Sequence, residues 1–417
     1  MMDVIIKGGV VVTQNEKREI VDIDIGIKDG LIVKLGEHLS NAKSVIRAEN
    51  YIITPAYLNG HIHFGEYYLR GYKESLGTEE YISAGEKFCR FFDEELEAIR
   101  TSSIDNVMCE SIKNGTLTFF GMRGWPQVQR FGVNAFLGYP LMNSEKLAGY
   151  LKGFEKQFDS LKQEKDTEYF LGLHSLKWLS ERELEAVRIF MQSHPDVKLS
   201  LHICETKKEV KYITDKYNMS PICLMDKFDL LNAKALLVHC NYLSEEDREL
   251  IKRSGASVAV CHSSNLKLGN VPCDVKALLE KGINVMAATD GPATSDSLSL
   301  LDAIRVTALV SGAAVQDLYD MITVNPAKYM GINTGSIQAG NKADLLLYDR
   351  NDLCFTYRNS VLENLVYLPG CRPAKILKSG KVIVDNYRYT DNVEVPVLQE
   401  KNRIISLIEG KVGMHKR

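Results

Sequence analysis

The feature that most constrains this chain is a regular alternation of apolar runs with amphipathic segments through its middle. Each run is followed by a segment of helical periodicity, and two of these segments open with a capping pattern, Ser180 with Glu183 and Ser244 with Asp247. This alternation predicts a (β/α)8 barrel, in which each parallel strand is followed by a helix. In the third run, the spacing of residues around Tyr139 is also compatible with a helix. The runs are YIITPAYLNGHIH, GTLTFF, VNAFLGYPLM, YFLGLHS, KLSLHIC, ALLVHC, ASVAVCHS and INVMAATDG.

The two chain ends have a different texture, that of short strands joined by tight turns. In VDIDIGIKDGLIVKLG apolar and polar residues alternate, and Asp29 with Gly30 supplies turn chemistry between two strands. AKILKSGKVIVDNYRY has a similar pattern, with Ser379 and Gly380 at the turn. We therefore predict one β domain built from both chain ends, followed by an amphipathic helix in the tail QEKNRIISLIEGKVGMHKR.

Composition narrows the class of protein. The 417 residues carry a net charge of −3, so the sequence lacks the excess of positive charge that is typical of proteins that bind nucleic acid or an anionic membrane. No apolar run approaches the roughly 20 residues that span a bilayer, and the N-terminus lacks the pattern of a signal peptide. Nine cysteines without C-x-x-C spacing favour reduced thiols. We expect a cytoplasmic enzyme.

Polar side chains stand where the apolar runs end, and the carboxyl ends of barrel strands form the active-site face. One histidine in an apolar run is more often a hydrogen-bonded core residue, and His262 is ambiguous in this respect. Burying several such groups without a shared partner is costly, whereas a metal ion explains them jointly. The residues at the run ends are His61, His63, His174, His202, His239 and Asp290.

The chemistry of these groups indicates one divalent metal ion, Zn²⁺ in preference to Fe²⁺. Imidazole and carboxylate donors suit both ions, and three histidines with one weak carboxylate leave a position for water. Such an ion lowers the pKa of water and supplies a hydroxide nucleophile. Glu205 lies three residues past His202 and can carry protons, although it can also be a helix N-terminal carboxylate. His239 can orient the water or hydrogen-bond the group under attack.

A series of motifs runs through the chain: NGHIHF, LRG, GTLTFF, LHICET, LLVHCNYLS, SSNLKLGN, AATDGPATSDSLSL and NPAKYMGINTGSIQAGNKADLLLYD. With these motifs, over most of residues 52–348, the chain resembles the amidohydrolase superfamily. The similar branch contains cytosine, guanine and S-adenosylhomocysteine deaminases and triazine hydrolases. The resemblance implies a TIM-type barrel over 55–334, a small β-sandwich domain formed by 1–54 and 335–390, and a helical tail at 391–417. It also implies a homo-oligomer, a dimer or larger.

The resemblance implies a metal site when the motifs are matched position by position. His61, His63, His202 and Asp290 then bind one divalent ion. The binuclear branches of the family place a carboxylated lysine at the end of the fourth strand. Here Lys177 lies several residues beyond that point, which favours a single metal ion.

The resemblance also implies roles in catalysis. Glu205 matches the proton-shuttling glutamate, and His239 matches the histidine that activates water or polarises the substrate. Asp290 has a second role as a base toward the water, and His174 matches a substrate contact. The implied reaction is attack of metal-bound hydroxide on an amino-bearing carbon of a heterocyclic base or nucleoside-like substrate, with release of ammonia.

Loops after the strands are expected to select the small heterocyclic substrate. We take Glu66, Arg70, Trp125 and Trp178 as candidate substrate contacts, with ordinary packing as the alternative for the aromatic residues. A carboxylate at Glu66 favours ligands that present hydrogen-bond donors. The alternative for Glu66 is a salt bridge to Arg70, four residues away.

Two other functions are consistent with parts of the sequence. The same site could hydrolyse a cyclic amide, or displace an N-alkyl or halide substituent from a heterocycle. A non-catalytic scaffold is the third possibility, but relatives of that kind typically lose metal ligands, and here they are intact together with Glu205.

Overall fold

The described strands form three sheets, one of which is the predicted barrel. The computed structural model describes residues 1–71, 76–122, 126–141, 147–161, 166–352, 355 and 361–415. In chain order the strands are β1 (Met2–Lys7), β2 (Val10–Val12), β3 (Ile20–Asp22), β4 (Asp24–Lys28), β5 (Leu31–Gly36), β6 (Ala42–Arg47), β7 (Tyr51–Pro55), β8 (Tyr57–His63), β9 (Thr116–Met122), β10 (Asn134–Leu141), β11 (Thr167–Leu173), β12 (Lys198–Ile203), β13 (Ala235–His239), β14 (Ser257–Val260), β15 (Val285–Ala287), β16 (Leu345–Asp349), β17 (Lys375–Lys378), β18 (Lys381–Asp385) and β19 (Arg388–Tyr389).

Strands β8 to β15 lie side by side in chain order and are parallel throughout. The barrel closes where Asp290, just after β15, pairs with Ile62 and donates its backbone N–H to the His61 oxygen at 3.1 Å. The predicted α/β barrel is confirmed, including a strand at the third run. Packing favours a strand in this run, because the ring of Phe170 lies against Gly138 inside the barrel. A Cβ at this position would lie only 2.3 Å from that ring.

Helices follow the barrel strands and cover the outside of the barrel. Both predicted capping boxes are present, at Ser180 with Glu183 and at Ser244 with Asp247. The helices are α1 (Thr78–Phe91), α2 (Leu96–Lys113), α3 (Leu147–Leu161), α4 (Glu181–Ser193), α5 (Lys207–Tyr217), α6 (Pro221–Lys227), α7 (Glu245–Ser254), α8 (His262–Lys267), α9 (Val275–Glu280), α10 (Pro292–Ser295), α11 (Leu300–Ser311), α12 (Val315–Asp320), α13 (Val324–Met330), α14 (Val361–Tyr367) and α15 (Glu394–His415).

The other two sheets are formed by the chain ends. One has the strand order β5-β4-β1-β6, and the other, β19-β18-β17-β16-β7-β2-β3, contains strands from both ends. The two sheets share an apolar core that includes Ile6, Ile27, Ile53, Leu345 and Leu377. Each predicted turn has two residues of positive φ, 51° and 78° at 29–30 and 47° and 75° at 379–380, as a two-residue hairpin requires. The exact domain boundaries stay a prediction.

The tail forms the predicted helix, α15, which packs on the first two helices of the barrel region. Ile404 is fully buried against Phe88, Phe92 and Ile99. Lys411 forms an ion pair with Glu95 at 2.8 Å. The tail thus braces α1 and α2, and both of these helices border the cavity described below.

Two further properties concern the described part of the chain. None of its helices is both long enough and apolar enough to cross a membrane. Its eight cysteines all carry free thiols.

Candidate active site and metal centre

Three histidines converge at the carboxyl end of the barrel. His61 and His63 lie at the end of β8, and His202 lies near the end of β12. Their Nε2 atoms are 3.1 Å apart for His61 and His63, 3.3 Å for His63 and His202, and 3.2 Å for His202 and His61. His202 Nδ1 donates to the backbone oxygen of His174 at 3.0 Å. In neutral His202 the proton is therefore on Nδ1, and Nε2 presents a lone pair.

Asp290 brings a carboxylate to the same point. Its Oδ1 lies 3.2 Å from His63 Nε2 and 3.6 Å from His61 Nε2. Its Oδ2 accepts hydrogen bonds from Ser264 Oγ at 2.6 Å and from Thr294 Oγ1 at 3.3 Å. One carboxylate oxygen thus faces the histidines while the other is held in place by hydroxyl groups.

This donor set fits one divalent metal ion. Nitrogen atoms 2.0–2.1 Å from a shared tetrahedral ion lie about 3.3 Å from one another, which is close to the spacing of the three Nε2 atoms. Three imidazole nitrogens that face one another cannot all be satisfied by mutual hydrogen bonds, whereas a cation can accept a lone pair from each. Imidazole with carboxylate is the ligand chemistry of Zn²⁺ and Fe²⁺.

The protonation states suit metal binding. Burial lowers the pKa of His61 to about 4 and holds the pKa of His202 well below its usual range. Burial alone raises the pKa of Asp290, but hydrogen bonds from His61 and His63 outweigh that effect and leave the pKa well below its usual range. Neutral imidazoles and an ionised carboxylate are the forms that bind a metal ion.

A second group, His239, Cys261 and Asp290, also offers ligand atoms within 4.8 Å of one another. Burial raises the pKa of the Cys261 thiol well above its usual range. A thiol binds metal as the thiolate, so this shift opposes binding. The three histidines therefore form the better metal site.

A chain of buried amides connects His239 to Glu205. His239 Nδ1 donates to Asn265 Oδ1 at 2.9 Å, and Asn265 Nδ2 donates to Asn241 Oδ1 at 2.7 Å. Asn241 Nδ2 in turn donates to the backbone oxygen of Glu205 at 3.0 Å. His239 Nε2 then lies 3.8 Å from Glu205 Oε2. The network holds the imidazole and the carboxylate facing each other.

Residues of α5 and α1 also contact Glu205. Its backbone N–H donates to Glu209 Oε2 at 2.9 Å, and Ser175 Oγ donates to Glu209 Oε1 at 2.8 Å. Burial raises the pKa of Glu209. Thr78 Oγ1 lies 3.5 Å from Glu205 Oε1 and accepts from Asn270 Nδ2 at 3.0 Å. The side chain of Glu205 is thus directed into the barrel mouth.

The backbone at the site is strained. Cys204, His239, Cys240 and Asp290 have φ values of 52°, 77°, 54° and 58°. Non-glycine residues rarely adopt such left-handed conformations, which cost about 1–3 kcal/mol each and concentrate at functional sites. These residues border or belong to the candidate catalytic set.

Glu66 lines the cavity beside His63. Its Oε2 accepts a hydrogen bond from the Tyr81 hydroxyl at 2.9 Å, and its Oε1 lies 4.0 Å from His63 Nδ1. A Cβ on Gly291 would lie 2.1 Å from Glu66 Oε2, so glycine at 291 makes room for the carboxylate. The position agrees with a substrate contact, which stays a prediction.

Arg70 does not join this group. Its guanidinium pairs with Glu110, with distances of 3.1 and 3.2 Å, and its carbon lies 4.8 Å from the centre of the Tyr67 ring. Arg70 therefore does not form the alternative salt bridge to Glu66. Its guanidinium binds Glu110 on α2 instead. Arg70 is not among the described residues that line the cavity, and its role as a substrate contact stays a prediction.

The remaining candidate contacts have different positions. His174 lines the cavity, with its ring centre 5.1 Å from that of His202. Trp178 is 46% exposed, and Lys177 Nζ lies 4.8 Å from the centre of its ring. It is not among the described residues that line the cavity, and its role as a substrate contact stays a prediction. Trp125 lies outside the described residues.

A cavity of about 900 Å³ opens above the histidines. That volume is at the upper end of the range for small-molecule sites. The predicted residues that line it are His63, Glu66, His174, His202, Glu205, His239 and Asp290.

Several residues of the site were not predicted. Ser264 and Asn265 lie in the motif SSNLKLGN, and Asn241 lies in LLVHCNYLS, so the motifs contained a signal for them. Glu209 lies in the first turn of α5, three residues after the N-cap Thr206, where a carboxylate can accept hydrogen bonds from the backbone that precedes the helix. Tyr81 had no signal, because its contact with the site depends on where α1 lies.

Known proteins resemble this chain over nearly its whole length. A 5-methylthioadenosine/S-adenosylhomocysteine deaminase of Caldicellulosiruptor saccharolyticus is 28% identical over 99% of this chain and 100% of the relative. A 5'-deoxyadenosine deaminase of Methanosarcina acetivorans is 29% identical over 96% and 97%.

Solved structures share the fold. An adenosine deaminase from Xanthomonas campestris with bound zinc superposes with a TM-score of 0.86 at 20% identity, covering 97% of this chain and 99% of its own. An atrazine chlorohydrolase from Arthrobacter aurescens, complexed with zinc, superposes with a TM-score of 0.89 at 19% identity, covering 96% and 99%. The sequence model of the amidohydrolase family matches residues 52–383. The chain therefore belongs to the amidohydrolase family.

Proposed function

We propose that this protein is a metal-dependent aminohydrolase that removes an amino group from a carbon of a heterocyclic base or nucleoside-like substrate. The reaction adds water to that carbon and releases ammonia, leaving a carbonyl in place of the amino group. The observation that carries the proposal is the convergence of three Nε2 atoms and Asp290 Oδ1 beside the facing pair Glu205 and His239.

His61, His63, His202 and Asp290 would hold the ion, which we propose to be Zn²⁺. A divalent ion at this point supplies a nucleophile at neutral pH by lowering the pKa of water. Ser264 and its hydrogen bond to Oδ2 keep Oδ1 of Asp290 directed at the histidines. Asp290 can then accept a proton from the attacking water while it stays in place.

Glu205 moves the protons of the reaction. Its carboxylate lines the cavity and its backbone is fixed by Glu209 and Asn241, so its position does not depend on the substrate. It takes one proton from the attacking water and delivers it to the ring nitrogen next to the reacting carbon. The second proton of that water, which Asp290 accepts as the carbonyl forms, passes through Glu205 to the departing amine, so that ammonia leaves. General acid–base help of this kind contributes about 10²–10⁴-fold to the rate.

His239 is placed to contact the attacking water. Nδ1 carries the proton and donates a hydrogen bond to Asn265. Nε2 therefore has a lone pair and faces Glu205 and the cavity. The imidazole therefore orients the attacking water when it is neutral. His174 and Glu66 lie beside the same cavity and would contact the substrate ring.

The names of the relatives support a substrate with an aminopurine ring. They describe deaminases of 5-methylthioadenosine, S-adenosylhomocysteine and 5'-deoxyadenosine, which share the 6-aminopurine group. Location in the cytoplasm and assembly into a dimer or larger oligomer stay predictions.

The experiment is an ammonia-release assay on metal-loaded protein with a panel of heterocyclic amines. The panel contains adenine, adenosine, 5'-deoxyadenosine, 5-methylthioadenosine, guanine and cytosine. We expect deamination of the adenine derivatives, which chelation abolishes and Zn²⁺ restores. Release of chloride or alkylamine from substituted triazines without ammonia release from any aminopurine would instead support substituent displacement. Absence of stoichiometric divalent metal would contradict both and support a scaffold role.

A further inference from the structure

The cavity extends well beyond the reacting groups along one face of α1. Thr78, at the start of this helix, lies 3.5 Å from Glu205. The residues of α1 that line the cavity include Thr78, Tyr81, Ile82, Gly85 and Cys89, whose spacing of three to four residues defines a single helical face. With a rise of 1.5 Å per residue, this face runs about 16 Å away from Glu205. A heterocycle held at the metal centre occupies only its first part.

The far part of the cavity, which we call the apolar arm, is formed by side chains of α1, α2 and α3. Its apolar members include Ile82, Phe88, Ile99, Ile104 and Phe154. Phe88, Ile99, Ile104 and Phe154 are buried, and α15 supports the first two from behind. Buried apolar walls favour an apolar ligand group.

Among the described residues that line the apolar arm, no charged side chain is buried. Glu86, Arg90, Glu97 and Arg100 are all exposed, so they stand at the rim. Arg90 and Glu86 are 3.8 Å apart and compensate each other. A charged group inside the arm would lose its hydration without a buried counterion.

Two glycines leave open space in the arm. Gly85 in α1 and Gly153 in α3 line the cavity from helix interiors, where glycine lowers helix stability relative to alanine. A Cβ on Gly153 would meet nothing within 4 Å, and a Cβ on Gly85 would meet a single atom, Cδ1 of Leu69, at 3.8 Å. Packing among the described residues therefore does not require glycine at either position. The space they leave lies inside the cavity.

We propose that the substrate carries an uncharged, predominantly apolar substituent that occupies the apolar arm while its aminated ring lies at the metal centre. This inference rests on the proposed function and names its substrate class: an alkyl-substituted heterocyclic amine, not a bare base. The substituent contributes binding energy through burial. Each methylene added along the arm raises kcat/KM about fourfold.

The first test is a series of adenines substituted at N9 with hydrogen, methyl, propyl and hexyl, followed by 9-(5-carboxypentyl)adenine. We expect kcat/KM to rise along the neutral series. The kcat/KM of the carboxylate should be at least about tenfold lower than that of the hexyl compound. A flat neutral series, or a carboxylate that equals or exceeds the hexyl compound, overturns the proposal.

Binding of the matching 9-alkylpurines, which lack the amino group, separates this inference from the proposed function. These compounds cannot be deaminated, so calorimetry on the metal-loaded protein reports the arm alone. Affinity that rises with chain length supports the arm even if no amine is deaminated. Deamination of adenine derivatives with no dependence of affinity on chain length keeps the proposed function and overturns the arm.

The second test compares leucine substitutions at three glycines. Gly85→Leu and Gly153→Leu place a side chain inside the arm, whereas Gly149→Leu adds one at an exposed position one turn before Gly153 that is not among the described residues lining the cavity. Leucine is a strong helix former, so all three variants should keep or raise Tm. The two arm variants should lower kcat/KM for 9-hexyladenine by at least about tenfold and that for 9-methyladenine by less than about threefold. Equal effects on both substrates, or the same effect from Gly149→Leu, contradict the proposal.

Discussion

His239 and Asn265 are joined by a buried hydrogen bond of 2.9 Å from Nδ1 to Oδ1. Asn265 cannot turn its amide group over without losing the bond that its Nδ2 gives to Asn241. Its oxygen therefore always faces His239, and the neutral imidazole keeps its proton on Nδ1. The atom left toward Glu205 is Nε2.

We expect Asn265→Ala to lower kcat/KM by about 10–100-fold, since loss of a buried hydrogen-bond partner costs about 1–3 kcal/mol and leaves the imidazole free to change tautomer. Metal content should stay the same, because Asn265 does not contact the metal-site residues. Steady-state kinetics with metal analysis measure both quantities. Asn284→Ala is the control, because Asn284 donates to Ser257 away from the cavity. Equal losses in the two variants would show that the effect is only structural.

Glu205→Gln should lower kcat by about 10²–10⁴-fold with little change in KM, because glutamine keeps the size of the side chain but cannot carry a proton. Its contact with Thr78 can be retained. Ammonia release and bound metal are measured on the same preparation. Full activity in a variant that still binds metal would remove Glu205 from the role of proton carrier.

Much of the fold could be predicted because local patterns and tertiary structure agree. The apolar runs became β8 to β15, and the turn residues Gly30 and Gly380 adopt the positive φ that their hairpins need. The third run was ambiguous by period alone. Packing decided it, since Gly138 admits the ring of Phe170 and only a strand in the barrel wall creates that contact.

The site was predictable where its residues end strands, and less so elsewhere. His61, His202 and Asp290 converge because parallel strands place their carboxyl ends together. The partner of Arg70 was not predictable, because its spacing of four residues from Glu66 does not reveal that Glu110, 40 residues away, binds the guanidinium. The contribution of α1 to the cavity depends on its packing against α2 and α15, which no local pattern encodes.

One metal ion per chain should bind at the three histidines. We expect His202→Ala to lose it and Cys261→Ser to retain about one equivalent, because the protonated thiol does not contribute. Chelation should lower Tm, and an excess of free Zn²⁺ at 100 times its Kd restores about 2.7 kcal/mol of stability. Metal analysis and thermal melts measure these effects. Loss of metal in Cys261→Ser would instead favour the group of His239, Cys261 and Asp290.

Glu66→Gln should change which substrates are preferred. The carboxylate accepts from Tyr81 and has capacity left for a donor on the ligand, whereas glutamine adds an N–H that opposes such a donor. We expect kcat/KM for aminopurines to fall by about 10-fold or more, as a charged hydrogen bond is worth about 1.5–3 kcal/mol. Tyr81→Phe, which keeps the charge, should cost less. An unchanged order of preference across the amine panel would return Glu66 to a structural role.

Stability should fall in mild acid because His262 is buried in its neutral form. Burial lowers its pKa to about 4, and its Nε2 donates to the Cys273 backbone oxygen at 3.1 Å. The unfolded chain takes up a proton there near pH 6.5, whereas the folded protein does not until about pH 4, so acid favours unfolding across that window.

Between pH 6.5 and pH 5 the free energy of unfolding of the unsubstituted protein should fall. In His262→Gln this fall should be smaller by about 2 kcal/mol, since one pKa unit corresponds to about 1.4 kcal/mol. Urea melts of the metal-loaded protein at several pH values measure this difference. The absolute stability of the variant is lower, and only the slope against pH is compared. His38→Gln, on the exposed surface, should leave the slope unchanged. If both variants keep the slope of the unsubstituted protein, the acid sensitivity arises from other groups.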